Sequence, residues 1–185
     1  GANQAVAAAR MGAKSGMVGR VGGDMFGPQL LEGLRTAGVD ISGITVNATE
    51  SSGIAVISVD ETAQNSITQI LGANDTCGSD QAAAVARDLP GAAALLLQLE
   101  TSIELSLEVA REAKAQGVMV MLDPGPVRAL PEEFLSLCHV ITPNETEAQS
   151  LVGFPVTRPE SAEKAASVLL QRGVGAAVIK LGAQG

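Results

Sequence analysis

The sequence contains no tryptophan and no tyrosine, and aromatic residues make up only 2% of its 185 residues. The apolar core must therefore be built mainly from Ala, Val, Leu and Ile, within a hydrophobic content of 46%. This composition favours buried parallel strands that are covered by alanine-rich helices. The chain is long enough for one α/β domain with a substantial core.

Positive charge is also scarce, because 12 Lys and Arg stand against 20 Asp and Glu and give a net charge of -8. This balance argues against nucleic acid or an anionic membrane as a general partner. A local backbone nest can still bind a phosphate group in an acidic protein. No apolar run reaches the roughly 20 residues that span a bilayer, and no signal peptide is visible. A cytoplasmic location without a membrane partner is therefore expected.

Cysteine and histidine are rare, which limits the metal and redox chemistry that the chain can perform. Cys77 and Cys138 have no spacing typical of a metal site or a redox pair. We expect both to be reduced, buried thiols in a cytosolic protein. His139 stands at the start of a predicted strand with no acid or nucleophile pattern around it, so we interpret it as structural.

Apolar runs alternate with amphipathic segments along the chain, which predicts βαβ units and a mainly parallel sheet. Helices are predicted over 2–11, 25–37, 79–88, 102–116, 131–137, 145–152 and 159–172, and strands over 17–21, 45–46, 92–98, 118–122, 139–142 and 176–181. Residues 53–59 and 65–71 instead predict a β-hairpin inserted into this alternation. Because β-branched residues alternate in both arms, one face of the hairpin should be apolar and covered.

Ligands of parallel sheets bind beyond the carboxyl ends of the strands, so the polar residues that follow the predicted strands are candidates. Glu100 could accept a bond from a sugar hydroxyl, or be an ordinary acid in the first turn of the next helix. Asn144 and Glu147 share the face of a first turn, and could bind Mg²⁺ through water or form a helix cap. Gly182 could present N–H groups to a phosphate or lie in a plain turn. Near the start of the chain, Asn3 could bind vicinal hydroxyls or cap a helix.

Several short motifs occur in a characteristic order. They are Gly1-Ala2-Asn3-Gln4-Ala5, Val18-Gly19-Arg20-Val21-Gly22-Gly23-Asp24-Met25-Phe26-Gly27, Ser52-Gly53-Ile54-Ala55-Val56-Ile57, Gly72-Ala73-Asn74, Gln98-Leu99-Glu100, Pro143-Asn144-Glu145 and Leu181-Gly182-Ala183-Gln184-Gly185. This ordered set covers nearly the whole chain and resembles the PfkB family of carbohydrate kinases, in particular its ribokinases. The resemblance implies a ribokinase-like three-layer α/β sandwich with a mainly parallel sheet and a small β-hairpin lid.

The resemblance also implies ATP-dependent phosphorylation of D-ribose to D-ribose 5-phosphate. Gly1, Asn3 and Glu100 would bind ribose hydroxyls. Ala55 and Ile57, which lie two residues apart on one face of a strand, would line the sugar from the lid. In ribokinases two such lids pair, so the hairpin over 53–71 implies a homodimer.

The same resemblance implies a nucleotide site. Asn144, Lys180, Gly182 and Gly185 would contact ATP, and Glu147 would complete an N-x-x-E motif near Mg²⁺. The cofactors implied are therefore ATP and Mg²⁺, and the resemblance allows a monovalent cation such as K⁺.

One family motif does not occur in the sequence. The catalytic base of the family is an Asp in a Gly-Ala-Gly-Asp stretch whose backbone also forms the anion hole. We therefore expect residues 1–185 to be a single kinase domain truncated at both ends, with no catalytic residue of its own and no activity alone. Two alternatives stay open: another PfkB kinase, such as a fructokinase or 2-keto-3-deoxygluconate kinase, and a non-catalytic sugar- or nucleotide-binding fragment.

Overall fold

The computed structural model describes residues 1–59, 61 and 65–182. They form two compact units, Gly1–Ala84 and Val85–Gly185. The first unit contains, in chain order, α1 (Ala2–Arg10), β1 (Ser15–Gly22), α2 (Phe26–Thr36), β2 (Val39–Asn47), β3 (Ile54–Val59), β4 (Asn65–Ile70) and a 3₁₀ turn at Gly72–Thr76. The next helix, α3 (Ser79–Asp88), contains the boundary between the units.

The second unit continues the alternation of strands and helices. Its elements are β5 (Ala94–Gln98), α4 (Ile103–Ala115), β6 (Met119–Asp123), α5 (Glu132–Leu137), β7 (Val140–Ile141), α6 (Glu145–Val152), α7 (Pro159–Gln171) and β8 (Ala176–Ala177). None of the helices over the described ranges is long and apolar enough to cross a membrane.

Both units contain parallel strand pairs. In the first, β1 pairs with β2 in parallel, and in the second β5, β6, β7 and β8 form a parallel sheet in that order. The antiparallel pair is β3 with β4, which places Ala55 opposite Gln69 and Ile57 opposite Ile67. The predicted α/β fold with a mainly parallel sheet is therefore confirmed, and the antiparallel pair of β3 and β4 interrupts it.

Aliphatic side chains build the core of the second unit, as the composition predicts. Fully buried members include Leu99, Val120, Leu122, Phe134, Leu135, Ile141 and Leu169. Each such side chain contributes roughly 1.5–3 kcal/mol through burial. Phe134 on α5 is the aromatic residue of this cluster. The core packs against β5–β8. The residues that follow these strands are therefore held in place by well-packed strands.

Side-chain hydrogen bonds stabilise the starts of α2 and α4. The hydroxyl of Ser102 accepts the N–H of Leu105 at 3.1 Å and begins α4. The Oδ1 atom of Asp24 accepts the N–H groups of Phe26 and Gly27 at 3.1 and 3.0 Å and begins α2. Both caps satisfy donors that a helix start otherwise leaves unpaired.

Asp24 also fixes the segment that precedes β3. Its Oδ2 accepts the N–H of Ser52 at 2.8 Å, and its Oδ1 accepts the Ser52 hydroxyl at 2.8 Å. The hydroxyl oxygen of Ser52 in turn accepts the N–H of Gly22 at 3.0 Å. Ser52 is fully buried, and its side-chain hydrogen bond is the main cause that lowers the pKa of Asp24. The base of the hairpin is thereby tied to the end of β1.

Three expectations need correction. Strand β2 runs over Val39–Asn47 instead of 45–46, because it follows β1 along its whole length. Strand β8 spans only Ala176–Ala177, and a single bridge at Lys180 follows it. The hairpin has no covered face along β3, since all six residues of that strand are exposed.

The two cysteines are buried, as predicted. Burial raises the pKa of the Cys138 thiol to about 12, so this thiol stays protonated and unreactive near neutral pH. His139 contributes to the sheet, because its Nδ1 accepts the N–H of Val120 at 3.0 Å. This bond agrees with the structural interpretation of His139.

Candidate functional site

Four polar residues follow the strands of the parallel sheet in the second unit. They are Glu100 after β5, Asp123 at the end of β6, Asn144 after β7 and Lys180 after β8, and we call them the carboxyl-end cluster. The strand register places Asn144 opposite Lys180, and Asp123 opposite Gln98, which lies two residues before Glu100. Because parallel strands end at one edge of the sheet, these four residues lie at that edge.

Asn144 and Glu147 form a reciprocal cap at the start of α6. The Oδ1 atom of Asn144 accepts the N–H of Glu147 at 2.8 Å, and the Oε2 atom of Glu147 accepts the N–H of Asn144 at 2.8 Å. The sequence allowed either a helix cap or Mg²⁺ binding for this pair, and the helix cap is present. It engages one oxygen of each side chain, so the amide Nδ2 of Asn144 and the Oε1 of Glu147 take no part in it.

Gly125 makes room for the carboxylate of Glu147. A Cβ atom at position 125 would lie 2.7 Å from the Oε1 of Glu147, which is closer than real Cβ contacts. Gly125 follows β6, two residues after Asp123. Its role is steric, since a side chain there would displace the Glu147 carboxylate.

The ammonium group of Lys180 places a positive charge at the carboxyl-end cluster. Its N–H donates to the carbonyl of Pro143 at 2.8 Å, which fixes the backbone next to Asn144. Its Nζ donates to the Oδ1 of Asp123 at 2.9 Å, and the two side chains are 45% and 21% exposed. An ion pair this exposed adds little stability. Its main effect is to fix the position of the Lys180 ammonium group.

The backbone turns directly after Lys180. Gly182 has φ of +53°, a conformation that glycine adopts without strain. The carboxylate oxygen Oε1 of Glu145 lies 3.7 Å from where a Cβ of Gly182 would be. Gly185, the other glycine predicted to contact ATP, lies outside the described residues.

Glu100 lies before α4 and not in its first turn. The helix begins at Ile103 after the Ser102 cap, and its first-turn acid is Glu104. The interpretation of Glu100 as an ordinary first-turn acid is therefore wrong. Its preceding residue, Leu99, is 1% exposed and donates its N–H to the carbonyl of Gly125 at 2.9 Å.

Arg128 supports this loop and was missed by the sequence analysis. Its Nη1 donates to the carbonyl of Leu99 at 3.3 Å and to the carbonyl of Thr101 at 2.7 Å. No local pattern could have revealed it, because its acceptors are backbone atoms 29 and 27 positions earlier in the chain.

The predicted sugar residues of the first unit lie at the start of α1 and on β3. Gly1 is the N-cap of α1 without a side-chain cap bond, and its carbonyl accepts from Gln4 and Ala5 at 3.1 Å each. Asn3 is therefore not the cap, and its side chain is exposed in the first turn. Ala55 and Ile57 share one face of β3, and both are exposed.

Among residues 1–59, 61 and 65–182, no group of three or more His, Cys, Asp and Glu side chains is arranged to hold a metal ion. Mg²⁺ differs from metals held by such groups, since it keeps several waters and is usually held by one or two carboxylates together with substrate phosphates.

The model of the family described as pfkB family carbohydrate kinase matches residues 1–185. A ribokinase of Haemophilus influenzae is 40% identical over 185 residues, which are 100% of this chain and 60% of the relative. A deoxyribokinase of Salmonella typhi is 33% identical over 186 aligned positions, covering 100% of this chain and 61% of the relative. The chain thus spans about three fifths of the length of these relatives.

A solved structure, Arabidopsis thaliana ribokinase complexed with ribose and ATP, superposes on the chain with a TM-score of 0.84. It is 31% identical, and the match covers 97% of this chain and 59% of that one. The similarity confirms the predicted ribokinase-like fold.

Proposed function

Because the chain belongs to the pfkB family of carbohydrate kinases, we propose that the protein transfers the γ-phosphoryl group of ATP to the 5-hydroxyl of D-ribose. The observation that carries this proposal is the 40% identity, over the whole chain, to a relative named ribokinase. The reaction forms a bond between O5 and phosphorus, breaks the bond from the γ-phosphorus to the bridging oxygen of ADP, and releases the hydroxyl proton to a base. A cytoplasmic location is part of the same proposal.

We assign the sugar-binding residues from the chemistry of their side chains and from their positions in each unit. In the first unit we assign Gly1 and Asn3 to ribose hydroxyls, and Ala55 and Ile57 to the apolar lining from the hairpin. In the second unit we assign Glu100 to a ribose hydroxyl. A carboxylate near the end of a parallel strand can accept a charge-assisted hydrogen bond from that hydroxyl.

The nucleotide-binding residues lie in the second unit. We assign the Nδ2 of Asn144, the ammonium of Lys180 and the backbone at Gly182 to the phosphates of ATP. Gly185 stays a prediction. The donor chemistry also fits Mg²⁺: the Oε1 of Glu147 is outside the helix cap and faces a glycine in place of a bulkier side chain. Bound there, Mg²⁺ would neutralise phosphate charge, and a K⁺ requirement stays a prediction.

Kinase activity tests the proposal directly. ADP release by the full-length protein would be measured with ATP and D-ribose, 2-deoxy-D-ribose, D-fructose or 2-keto-3-deoxygluconate. We expect the highest kcat/KM for ribose and D-ribose 5-phosphate as the product in a phosphorus NMR spectrum. A higher kcat/KM for another sugar would overturn the choice of ribose, and no turnover with any sugar would overturn the kinase.

The 185-residue polypeptide is a negative control for this assay, since its sequence contains no Gly-Ala-Gly-Asp run. A polypeptide that binds ribose by calorimetry without turnover would support the second candidate, a non-catalytic binding fragment.

Asn144→Asp separates the helix cap from the contact with ATP. Aspartate keeps the Oδ1 acceptor of the cap but replaces the Nδ2 donor with an oxygen that repels phosphate. We expect the KM for ATP to rise about tenfold, while the melting temperature and the KM for ribose stay unchanged. An unchanged KM for ATP would remove Asn144 from the nucleotide site.

We propose further that two copies of the chain pair through the hairpin. Val56 on β3 is 52% exposed, and both faces of this strand carry exposed apolar side chains. An isolated two-stranded hairpin is marginally stable in water, so pairing with a second hairpin would bury this surface.

Val56→Ser tests the pairing, because it removes apolar area that only a dimer would bury. We expect the dimer dissociation constant, measured by sedimentation equilibrium, to rise about tenfold. Val178→Ser is the matched control, since Val178 is 54% exposed but lies outside the hairpin. A monomeric parent protein, or equal effects of the two substitutions, would contradict the proposal.

A further inference from the structure

The loop between β5 and α4 is held from both sides. At its start the N–H of Leu99 donates to the carbonyl of Gly125 at 2.9 Å. At its end Ser102 caps α4 through the N–H of Leu105 at 3.1 Å. Glu100 lies between these two fixed points, so the direction of its side chain depends on the peptide groups next to it.

A single guanidinium group binds the carbonyl groups of the two residues that flank Glu100. The Nη1 of Arg128 donates to the carbonyls of Leu99 and Thr101 at 3.3 and 2.7 Å. A bond from a charged donor is stronger than a neutral one, and the planar guanidinium keeps its charge at every relevant pH. Both carbonyls are thereby held toward one rigid group, which restricts rotation of the backbone at Glu100.

We propose that Arg128 is a positioning residue, which holds the loop 99–101 so that the Glu100 carboxylate faces the sugar. This inference rests on the proposed function, because it takes Glu100 as a ribose ligand. The two acceptors lie 29 and 27 positions before Arg128 in the chain, so these bonds form only once the second unit has folded. Loss of Arg128 should therefore weaken the binding of the sugar and leave the binding of ATP unchanged.

Arg128→Met tests the inference, because methionine keeps an apolar stem but donates no hydrogen bond. We expect the KM for ribose to rise about tenfold, the KM for ATP to change less than twofold, and kcat to fall little. Arg128→Lys should recover part of the loss, because an ammonium can still donate to one carbonyl.

Arg111→Met is the matched control for the loss of an arginine. Arg111 lies on α4 and pairs at the surface with Glu133 at 2.6 Å, so its loss should leave both KM values unchanged. Equal rises in the KM for ribose and for ATP after Arg128→Met would show a general structural role and overturn the inference.

A double-mutant cycle with Glu100→Gln decides whether Arg128 acts through Glu100. If it does, Arg128→Met should raise the KM for ribose much less in the Glu100→Gln background than in the parent. Additive effects of the two substitutions would overturn the inference while leaving ribokinase activity intact.

Hydrogen exchange gives a readout that does not need activity. Arg128→Met should speed exchange of the amides of residues 99–101 relative to Arg111→Met, since the loop loses its fixed carbonyls. Unchanged exchange would overturn the inference. Lack of turnover by the parent protein would instead overturn the proposed function, so the two failures are distinguishable.

Discussion

Replacing Glu100 with glutamine should lower kcat/KM for ribose by about 10- to 150-fold, which corresponds to the 1.5–3 kcal/mol of a hydrogen bond to a charged group. Glutamine has nearly the same shape, so the loop that Arg128 holds should stay in place. What changes is the acceptor, because a neutral amide oxygen binds a hydroxyl proton more weakly than a carboxylate does. The KM for ATP should change less than twofold.

Glu104→Gln is the control for this substitution. Glu104 is the exposed acid in the first turn of α4, where it interacts favourably with the helix dipole. Its loss should change kcat/KM by less than twofold. Steady-state kinetics over ribose and ATP for both variants provides the measurement. Equal kcat/KM for the two variants would remove Glu100 from the sugar site.

Replacing Gly27 with alanine should lower the free energy of unfolding by about 3 kcal/mol, because the new methyl group has no space. A Cβ atom at this position would lie 2.1 Å from the carbonyl oxygen of Gly22 and 3.6 Å from the Cγ2 of Val21. The first contact is with backbone, which cannot rotate away. The strain would fall on the end of β1, where Gly22 donates to Ser52.

Gly33→Ala in the same helix should have the opposite sign. No atom lies within 4 Å of where its Cβ would be, and alanine favours the helix over glycine by about 0.5–1 kcal/mol. Urea unfolding and the melting temperature check both variants. A change of 3 kcal/mol corresponds to about 6–12 °C for a protein of this size. Equal shifts of the two variants would contradict the steric explanation.

The helices could be predicted with close boundaries because their signals are local. The sequence predicts α6 over 145–152, and the structure has it at Glu145–Val152. The helix predicted over 102–116 begins at a cap on Ser102, whose hydroxyl accepts the N–H of Leu105. These features depend on neighbours three or four positions apart, which lie next to each other in a helix whatever the rest of the chain does.

Strand limits and exposure were predicted less well, because they depend on distant partners. Nothing in residues 39–44 shows that β2 extends along all of β1. The alternation in β3 indicates a strand but not what covers it, and the structure leaves all six of its residues exposed. A strand pattern reports which side chains share a face, and only pairing and packing decide which face is buried.

The sequence by itself determined the order of strands and helices, the aliphatic core and the set of motifs that indicates a carbohydrate kinase. The tertiary structure decided which polar residues become neighbours: Lys180 with Asp123, Glu147 with Gly125, and Arg128 with the peptide groups around Glu100. Each of these contacts joins residues at least 22 positions apart. Such contacts form only when the parallel strands align their carboxyl ends, which is why no local pattern encodes them.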